Sequence, residues 1–195
     1  MGFTDFSRET FERYAAMQST KRILELGNQT IYFGAQWEKP AKLWFQQKGY
    51  EHISIDLNGQ DGALIFDLCT PLSPEMLALG QFDAATDFGT SEHVANLYEC
   101  YHSLDQWCRS GGLIFHENPK TGSWPLHGFH FFREAFYWEF AKVTGYELLG
   151  CGEHAAMGNF HDGWNIWAVL RKTVAKPFPT KVEWDEQLQP LIAKS

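Results

Sequence analysis

The sequence predicts one α/β domain, a mainly parallel sheet with helices on both faces and a final antiparallel strand. Three observations carry this expectation. Short apolar runs alternate with helix-length segments punctuated by Pro, Gly, Ser and Thr, the pattern of strand–crossover–strand units. The last two strand-like runs have only Gly152 to Gly163 between them. That gap is short for a crossover helix and long for a tight hairpin, so the pair is expected to be antiparallel. Finally, 195 residues, 44% of them hydrophobic, suit a single core, and neither a repeat nor a linker divides them.

The elements follow in order. Residues 5–18 read as an amphipathic helix with Phe6, Phe11, Tyr14, Ala15 and Met17 near one stripe. Ile23–Leu26 is the first strand. A helix is expected from Pro40 to Gly49, with Pro early and Gly after its end. His52–Asp56 is the second strand and Ala63–Asp67 a short third. Ser73-Pro74 opens a short helix that stops at Gly80. Phe82–Phe88 is the fourth strand. Thr90-Ser91 is expected to cap one long helix reaching Arg109, and Gly111-Gly112 to turn the chain into a fifth strand, Leu113–His116. Residues 117–128 read as a loop, followed by a helix to Thr144. Tyr146–Cys151 and Trp164–Leu170 are the closing strands. The expected organisation is a lid helix over 1–20, a core over 21–171 and a peripheral tail over 172–195, the tail holding three prolines.

Composition excludes some functions. Sixteen Lys and Arg against 24 Asp and Glu give a net charge of −8, which supplies no obvious basic face of the kind duplex nucleic acid requires. No apolar run approaches the ~20 residues of a membrane span. The start lacks a signal peptide's charge and apolar stretch. Cys69, Cys100, Cys108 and Cys151 form no C-x-x-C pair or zinc-like spacing and read as reduced thiols in a cytoplasmic protein.

In open α/β sheets ligands bind at the carboxyl ends of the strands. Here those ends read Glu25-Leu26-Gly27-Asn28-Gln29, then Asp56-Leu57, then Asp67-Leu68, then the run Phe82 to Gly89 with Asp87 and Phe88 at its end. Arg109-Ser110-Gly111-Gly112-Leu113-Ile114 leads into the fifth strand. In order and spacing, over about residues 20 to 171, these segments resemble the motifs of class I S-adenosylmethionine-dependent methyltransferases, which have a Rossmann-like fold. The resemblance implies S-adenosylmethionine as cofactor, with Glu25, Gly27 and Asn28 in its glycine loop. It implies Asp56 and Leu57 at the ribose, Asp67 and Leu68 at the adenine, and Asp87 and Phe88 at the edge facing the methyl group. A carboxylate suits the ribose because it accepts two hydrogen bonds from a vicinal diol. Gln29 stands where the family carries a second glycine. Asp67 also fits a plain turn-forming role.

Methyl transfer needs alignment of acceptor and methyl, and a hydroxyl acceptor must also lose or share its proton. Ser91-Glu92-His93-Val94 and the segment from His127 to Phe136 resemble corresponding segments of ubiquinone-pathway O-methyltransferases and small-RNA terminal-ribose methyltransferases. The resemblance implies that Glu92, His93 and His127 hold a divalent metal that activates the acceptor, although Gly89 replaces a further Glu of that motif. Without a metal, His93 or His127 is the expected base. Glu92 is also favourable in a first helical turn simply because it opposes the helix dipole. Asp87, Glu117 and His130 are further ligand candidates, and His116 is either a pocket residue or a hydrogen-bonded core histidine. His154 and His161 fall in the final hairpin loop, with no role assigned.

The function this implies is transfer of a methyl group to an O or N atom of a small molecule, a sugar or natural-product hydroxyl being one form. Two alternatives stand beside it. One is a non-catalytic S-adenosylmethionine-binding module, suggested by Gln29. The other is a nicotinamide-dependent oxidoreductase, for which Asp56 would serve equally but which wants a glycine fingerprint absent here.

Overall fold

A computed structural model of the chain describes residues 2–156 and 163–194. His161 lies outside the described residues. The order of elements is α1 (Asp5–Ala15), β1 (Arg22–Leu26), α2 (Ala41–Gln47), β2 (Glu51–Asp56), β3 (Leu64–Ile65), α3 (Pro74–Leu77), β4 (Phe82–Phe88), α4 (Leu97–Trp107), β5 (Cys108–Pro119), β6 (His130–Phe131), α5 (Glu134–Thr144), β7 (Glu147–Ala155), β8 (Trp164–Arg171), α6 (Lys181–Gln187) and β9 (Ala193–Lys194).

Seven strands form one sheet in the order β3-β2-β1-β4-β5-β8-β7. The five strands β1 to β5 pair in parallel. β8 runs antiparallel to both β5 and β7, as the short spacing between the last two runs requires. Strand order reverses between β1 and β4, so a crevice opens at their carboxyl ends. One face of the sheet packs on α4, α5 and α6, with Trp107, Tyr101, Phe136 and Trp184 almost wholly buried. The other packs on α1 and α2 through Phe3, Phe11, Trp44 and Phe45.

Four expectations are corrected. The first helix ends at Ala15, and Met17 is exposed. The long helix from Thr90 to Arg109 is broken. Thr90 does not cap it, because its hydroxyl donates to Leu26 O at 2.7 Å across the crevice. Asp87 Oδ1 takes the backbone N–H groups of Thr90 and Ser91 instead. Ser91–His93 closes a 3-10 turn, Val94 is extended, and Asn96 caps a fresh helix by accepting from Glu99 N. Glu92 therefore lies outside the first turn of α4, and the helix dipole does not explain it.

The fifth strand is longer than Leu113–His116 at both ends, so Glu117 and Asn118 are strand residues. The register shift between Phe82 and Ala84 accommodates its early start. Last, the tail is no periphery. Trp184 on α6 is 0% exposed, and Leu188 and Ile192 complete the same core. β9 pairs antiparallel with β6. Prolines stop regular structure locally, but they do not prevent the residues between them from docking.

Candidate functional site

A cleft of about 390 Å³ lies at the crevice between the β1 and β4 ends. Gly27, Asn28, Gln29, Asp56, Leu57, Asp67, Leu68, Thr90 and His93 all line it. Gly27 makes the turn off β1 with φ +78°, and a Cβ there would lie 2.5 Å from Thr90 Oγ1 and 2.6 Å from Gln29 Nε2. Only glycine meets both demands at low cost.

Asp56 ends β2 half-buried. Its Oδ2 accepts from Asn28 N at 2.8 Å and its Oδ1 from Asn58 N at 2.9 Å. Each carboxylate oxygen has a second lone pair, so the site keeps capacity for two more donors. Asp67 accepts from Cys69 N at 2.9 Å, which is the turn-forming role, while its side chain still lines the cleft. Leu57 is 68% exposed at the rim. Gln29 is turned inward: its Nε2 donates to Leu26 O at 3.1 Å and to Thr90 Oγ1 at 2.7 Å. The residue that replaces a glycine thus ties β1 to the segment after β4, directly under the crevice.

Three of the expected cofactor residues do not line the cleft. Glu25 is fully buried and faces His52, with its Oε2 3.4 Å from His52 Nε2 and no hydrogen bond on either oxygen. Burial raises its pKa above the ordinary carboxyl value, against the pull of His52. Phe88 is 2% exposed and stacks on Phe3 beneath the sheet. Asp87 is fully buried and holds the turn after β4: it accepts from Thr90 N, Ser91 N, Ser91 Oγ and Asn118 Nδ2 and pairs with His116 Nδ1 at 2.8 Å. Burial pushes its pKa up, but the bonds from His116 and Ser91 outweigh this and leave it below the ordinary value. Glu25 and Phe88 point to the face covered by α1 and α2 and Asp87 to the opposite, helix-covered face, so alternation along the strands places each of them in packed protein rather than at the strand ends.

Glu92, His93 and His127 come together. Glu92 Oε1 lies 3.7 Å from Nε2 of His93 and 3.7 Å from Nε2 of His127. The two rings are 5.0 Å apart, and one donor atom from each of the three residues falls within 4.8 Å of the others. Glu92 Oε1 and His127 Nε2 are buried without a hydrogen-bond partner. Burial, with His127 adding to it, keeps the His93 pKa below the ordinary imidazole value against the opposing charge of Glu92. The loop that carries His127 reaches Glu92 because Gly128 has no side chain: a Cβ would lie 2.9 Å from Glu92 O. Phe129 N donates to the same carbonyl at 2.8 Å. Trp124 packs 5.1 Å from the His127 ring.

This donor set fits a divalent metal. Two imidazoles and a carboxylate, with two orphaned, buried donor atoms among them, could hold such an ion with coordination positions left open. Four-coordinate ions place neighbouring ligand atoms ~3.4 Å apart, close to the 3.7 Å seen here. Neither Asp87 nor Glu117 joins the cluster, and neither does His130. His116 is a core histidine, stacked on Tyr101 and bonded to Asp87.

Sequence reading missed two contributors. His154 lies in β7 rather than in a loop, and its Nε2 is 3.0 Å from Glu117 Oε1. Phe6 stacks on it, and Ser7 Oγ donates to Glu117 Oε2 at 2.6 Å, which pins α1 to the sheet. Tyr137 donates to Asn118 beneath Glu92. A tyrosine in an amphipathic helix carries no signal that distinguishes such a role from packing. The cysteines are free, and burial pushes the Cys108 and Cys151 thiols up to about 12. Among the described residues no helix is long and apolar enough to cross a membrane.

No family model matches the chain, and no curated protein matches it. Solved structures do. The 1,6-didemethyltoxoflavin-N1-methyltransferase of Burkholderia thailandensis, with bound 1,6-didemethyltoxoflavin and S-adenosylhomocysteine, is similar at TM-score 0.57 and 12% identity, over 85% of this chain and 77% of that one. The N-methyltransferase NodS of Bradyrhizobium japonicum WM9 is similar at 0.56 and 11%, over 86% and 97%. A SAM-dependent methyltransferase from Archaeoglobus fulgidus is similar at 0.53 and 12%, over 86% and 94%. The chain has the fold of the class I S-adenosylmethionine-dependent methyltransferases.

Proposed function

We propose that the protein transfers a methyl group from S-adenosylmethionine to an O or N atom of a small-molecule acceptor. The observation that carries this reading is that His93 belongs to two places at once. It lines the cleft that holds Asp56 and Gly27, and it forms one side of the cluster with Glu92 and His127. A cofactor seated with its ribose on Asp56 would thus have acid–base groups beside its methyl end.

In this reading Asp56 accepts the ribose hydroxyls, Asp67 and Leu68 border the adenine, and exposed Leu57 gives the ring an apolar surface. Gly27 and Asn28 bring backbone close to the cofactor, and Gln29 with Thr90 forms the floor under its amino-acid end. The two histidines face the acceptor. Burial holds the His93 imidazole below its ordinary pKa, which favours the neutral form that can take a proton. Where a divalent ion is held by Glu92, His93 and His127, it would supply Lewis acidity that lowers the pKa of an acceptor hydroxyl. The nicotinamide alternative is disfavoured because the turn after β1 carries a single glycine, Gly27, in place of a glycine fingerprint, and the first N–H of α2, on Ala41, is already taken by Gln29 O at 2.8 Å.

Calorimetric titration with S-adenosylhomocysteine and, separately, with NAD tests the reading. Binding of the first and not the second is expected. Binding of NAD alone would overturn it. Methyl transfer to a panel of hydroxyl and amine acceptors then separates an enzyme from a module that only binds.

A further inference from the structure

We propose that Asn118 is a positioning residue for the Glu92 carboxylate, and that Tyr137 fixes Asn118 in turn. The proposal rests on the reading of Glu92, His93 and His127 as one working cluster. Asn118 is fully buried near the carboxyl end of β5, and Tyr137 is fully buried on α5. Neither has a surface that could meet a substrate, so any effect on the site is indirect, through the Glu92 carboxylate or through the Ser91–Asp87 turn, and the double variant Glu92→Gln/Asn118→Ala separates the two.

The orientation of the Asn118 amide is forced. One end of it faces three oxygens: Glu92 Oε2 at 3.2 Å, Ser91 Oγ at 3.0 Å and Asp87 Oδ2 at 3.3 Å. Two of these belong to carboxylates. The third, Ser91 Oγ, gives its own proton to Asp87 Oδ2 at 2.6 Å and can only accept from Asn118. A carbonyl oxygen placed there would meet acceptors alone, so the NH2 group takes this side. Asp87 already has Ser91 and His116 on Oδ2. The two N–H bonds of Asn118 are thus shared among Ser91, Glu92 and the slightly more distant Asp87. On the opposite side Oδ1 accepts from Tyr137 Oη at 2.5 Å.

The consequence lies in Glu92. The terminal torsion of a glutamate is broad and two-fold, which makes its two oxygens interchangeable in the absence of a partner. Asn118 removes that equivalence. It holds Oε2 toward the protein interior, and Oε1, with no bond of its own, stays aimed at the two histidines 3.7 Å away. A buried amide with a phenol behind it is the second layer that keeps such a carboxylate in place.

The test is a long-range 1H–15N correlation of the histidine rings in the full-length protein, for the wild type and for Glu92→Gln, Asn118→Ala, Tyr137→Phe and the double variant Glu92→Gln/Asn118→Ala. Asn118→Ala and Tyr137→Phe are expected to move the His93 and His127 signals toward their Glu92→Gln positions and to leave His102 unmoved. In the Glu92→Gln background, Asn118→Ala is expected to add no further shift, which a general structural disturbance would not obey. If Glu92→Gln moves the two histidines but Asn118→Ala and Tyr137→Phe do not, the positioning role fails and the cluster stands. If Glu92→Gln itself moves neither, the cluster and the positioning role fall together. Should Asn118→Ala not fold, Tyr137→Phe, which removes a single oxygen, carries the same test.

Discussion

Glu92 Oε1 and His127 Nε2 lie 3.7 Å apart, both buried and neither hydrogen-bonded, although the two residues come from segments that follow different strands. Leaving a buried carboxylate oxygen and a buried imidazole nitrogen unpaired costs about 1–3 kcal/mol each. A third group between them would recover that cost. His127→Ala is therefore expected to lower turnover by roughly a hundredfold or more, with affinity for S-adenosylhomocysteine unchanged. Equal turnover in the folded variant would remove His127 from the chemistry. Chelation divides the two versions of its role: activity lost with EDTA and restored by a divalent ion indicates the metal, and indifference to EDTA indicates a base.

Asp56→Ala should weaken S-adenosylmethionine binding by about 1.5–3 kcal/mol, the usual worth of hydrogen bonds to a charged group. Part of that loss comes through the loops, because Asp56 also holds Asn28 N and Asn58 N. Calorimetry on a variant with an unchanged melting profile checks it, and an unaltered dissociation constant would sink the ribose assignment.

Gly27→Ala should be costly for the loop as well as for the ligand. The left-handed conformation alone costs a non-glycine residue about 1–2 kcal/mol, and the added Cβ strikes Thr90 Oγ1 and Gln29 Nε2. A lowered melting temperature together with weaker cofactor binding is expected. Wild-type values for both would show that the bridge from Gln29 to Thr90 is dispensable.

Glu25 gives a pH signature. Its ordinary value is 4.5 and burial raises it in the folded protein. The folded state then binds the proton more tightly than the unfolded one. Its contribution is complete below pH 4.5 and is lost as pH rises from there through the folded value. Glu25→Gln removes this loss. The melting temperature of the variant relative to the wild type should therefore climb between pH 4 and pH 8, and a flat or falling difference would contradict a raised Glu25.

Trp184→Ala should destabilise the protein by about 3–5 kcal/mol, the range for emptying a large aromatic from a core. Trp184 packs against Tyr101 and Phe136 with no exposed surface. Chemical denaturation measures it, and a cost under about 1 kcal/mol would return the tail to the periphery.

The sequence by itself determined the sheet and its ligand edge. Apolar runs and turn residues located every strand of the large sheet, although β5 begins five residues before the expected Leu113, and the short span from Gly152 to Gly163 made the last pair antiparallel. Strand-end chemistry put Gly27, Asp56 and Asp67 at the cleft, because a parallel sheet brings its carboxyl ends to one edge whatever the detailed packing. Tertiary structure decided the rest. Local pattern does not report which side of a strand faces a ligand when both sides are buried, so Glu25, Asp87 and Phe88 fell beneath the cleft rather than along it. Helix signals at Thr90 were overridden by its bonds to Leu26 O, distant in sequence, and to Asp87 Oδ1, three residues before it. Trp184 looked peripheral because nothing local marks the hydrophobic surface it covers. The meeting of Glu92, His93 and His127 was legible as a set of residue types. Their separation, their unpaired atoms and the Asn118–Tyr137 support behind them are long-range facts, fixed only when β4, β5 and α5 pack together.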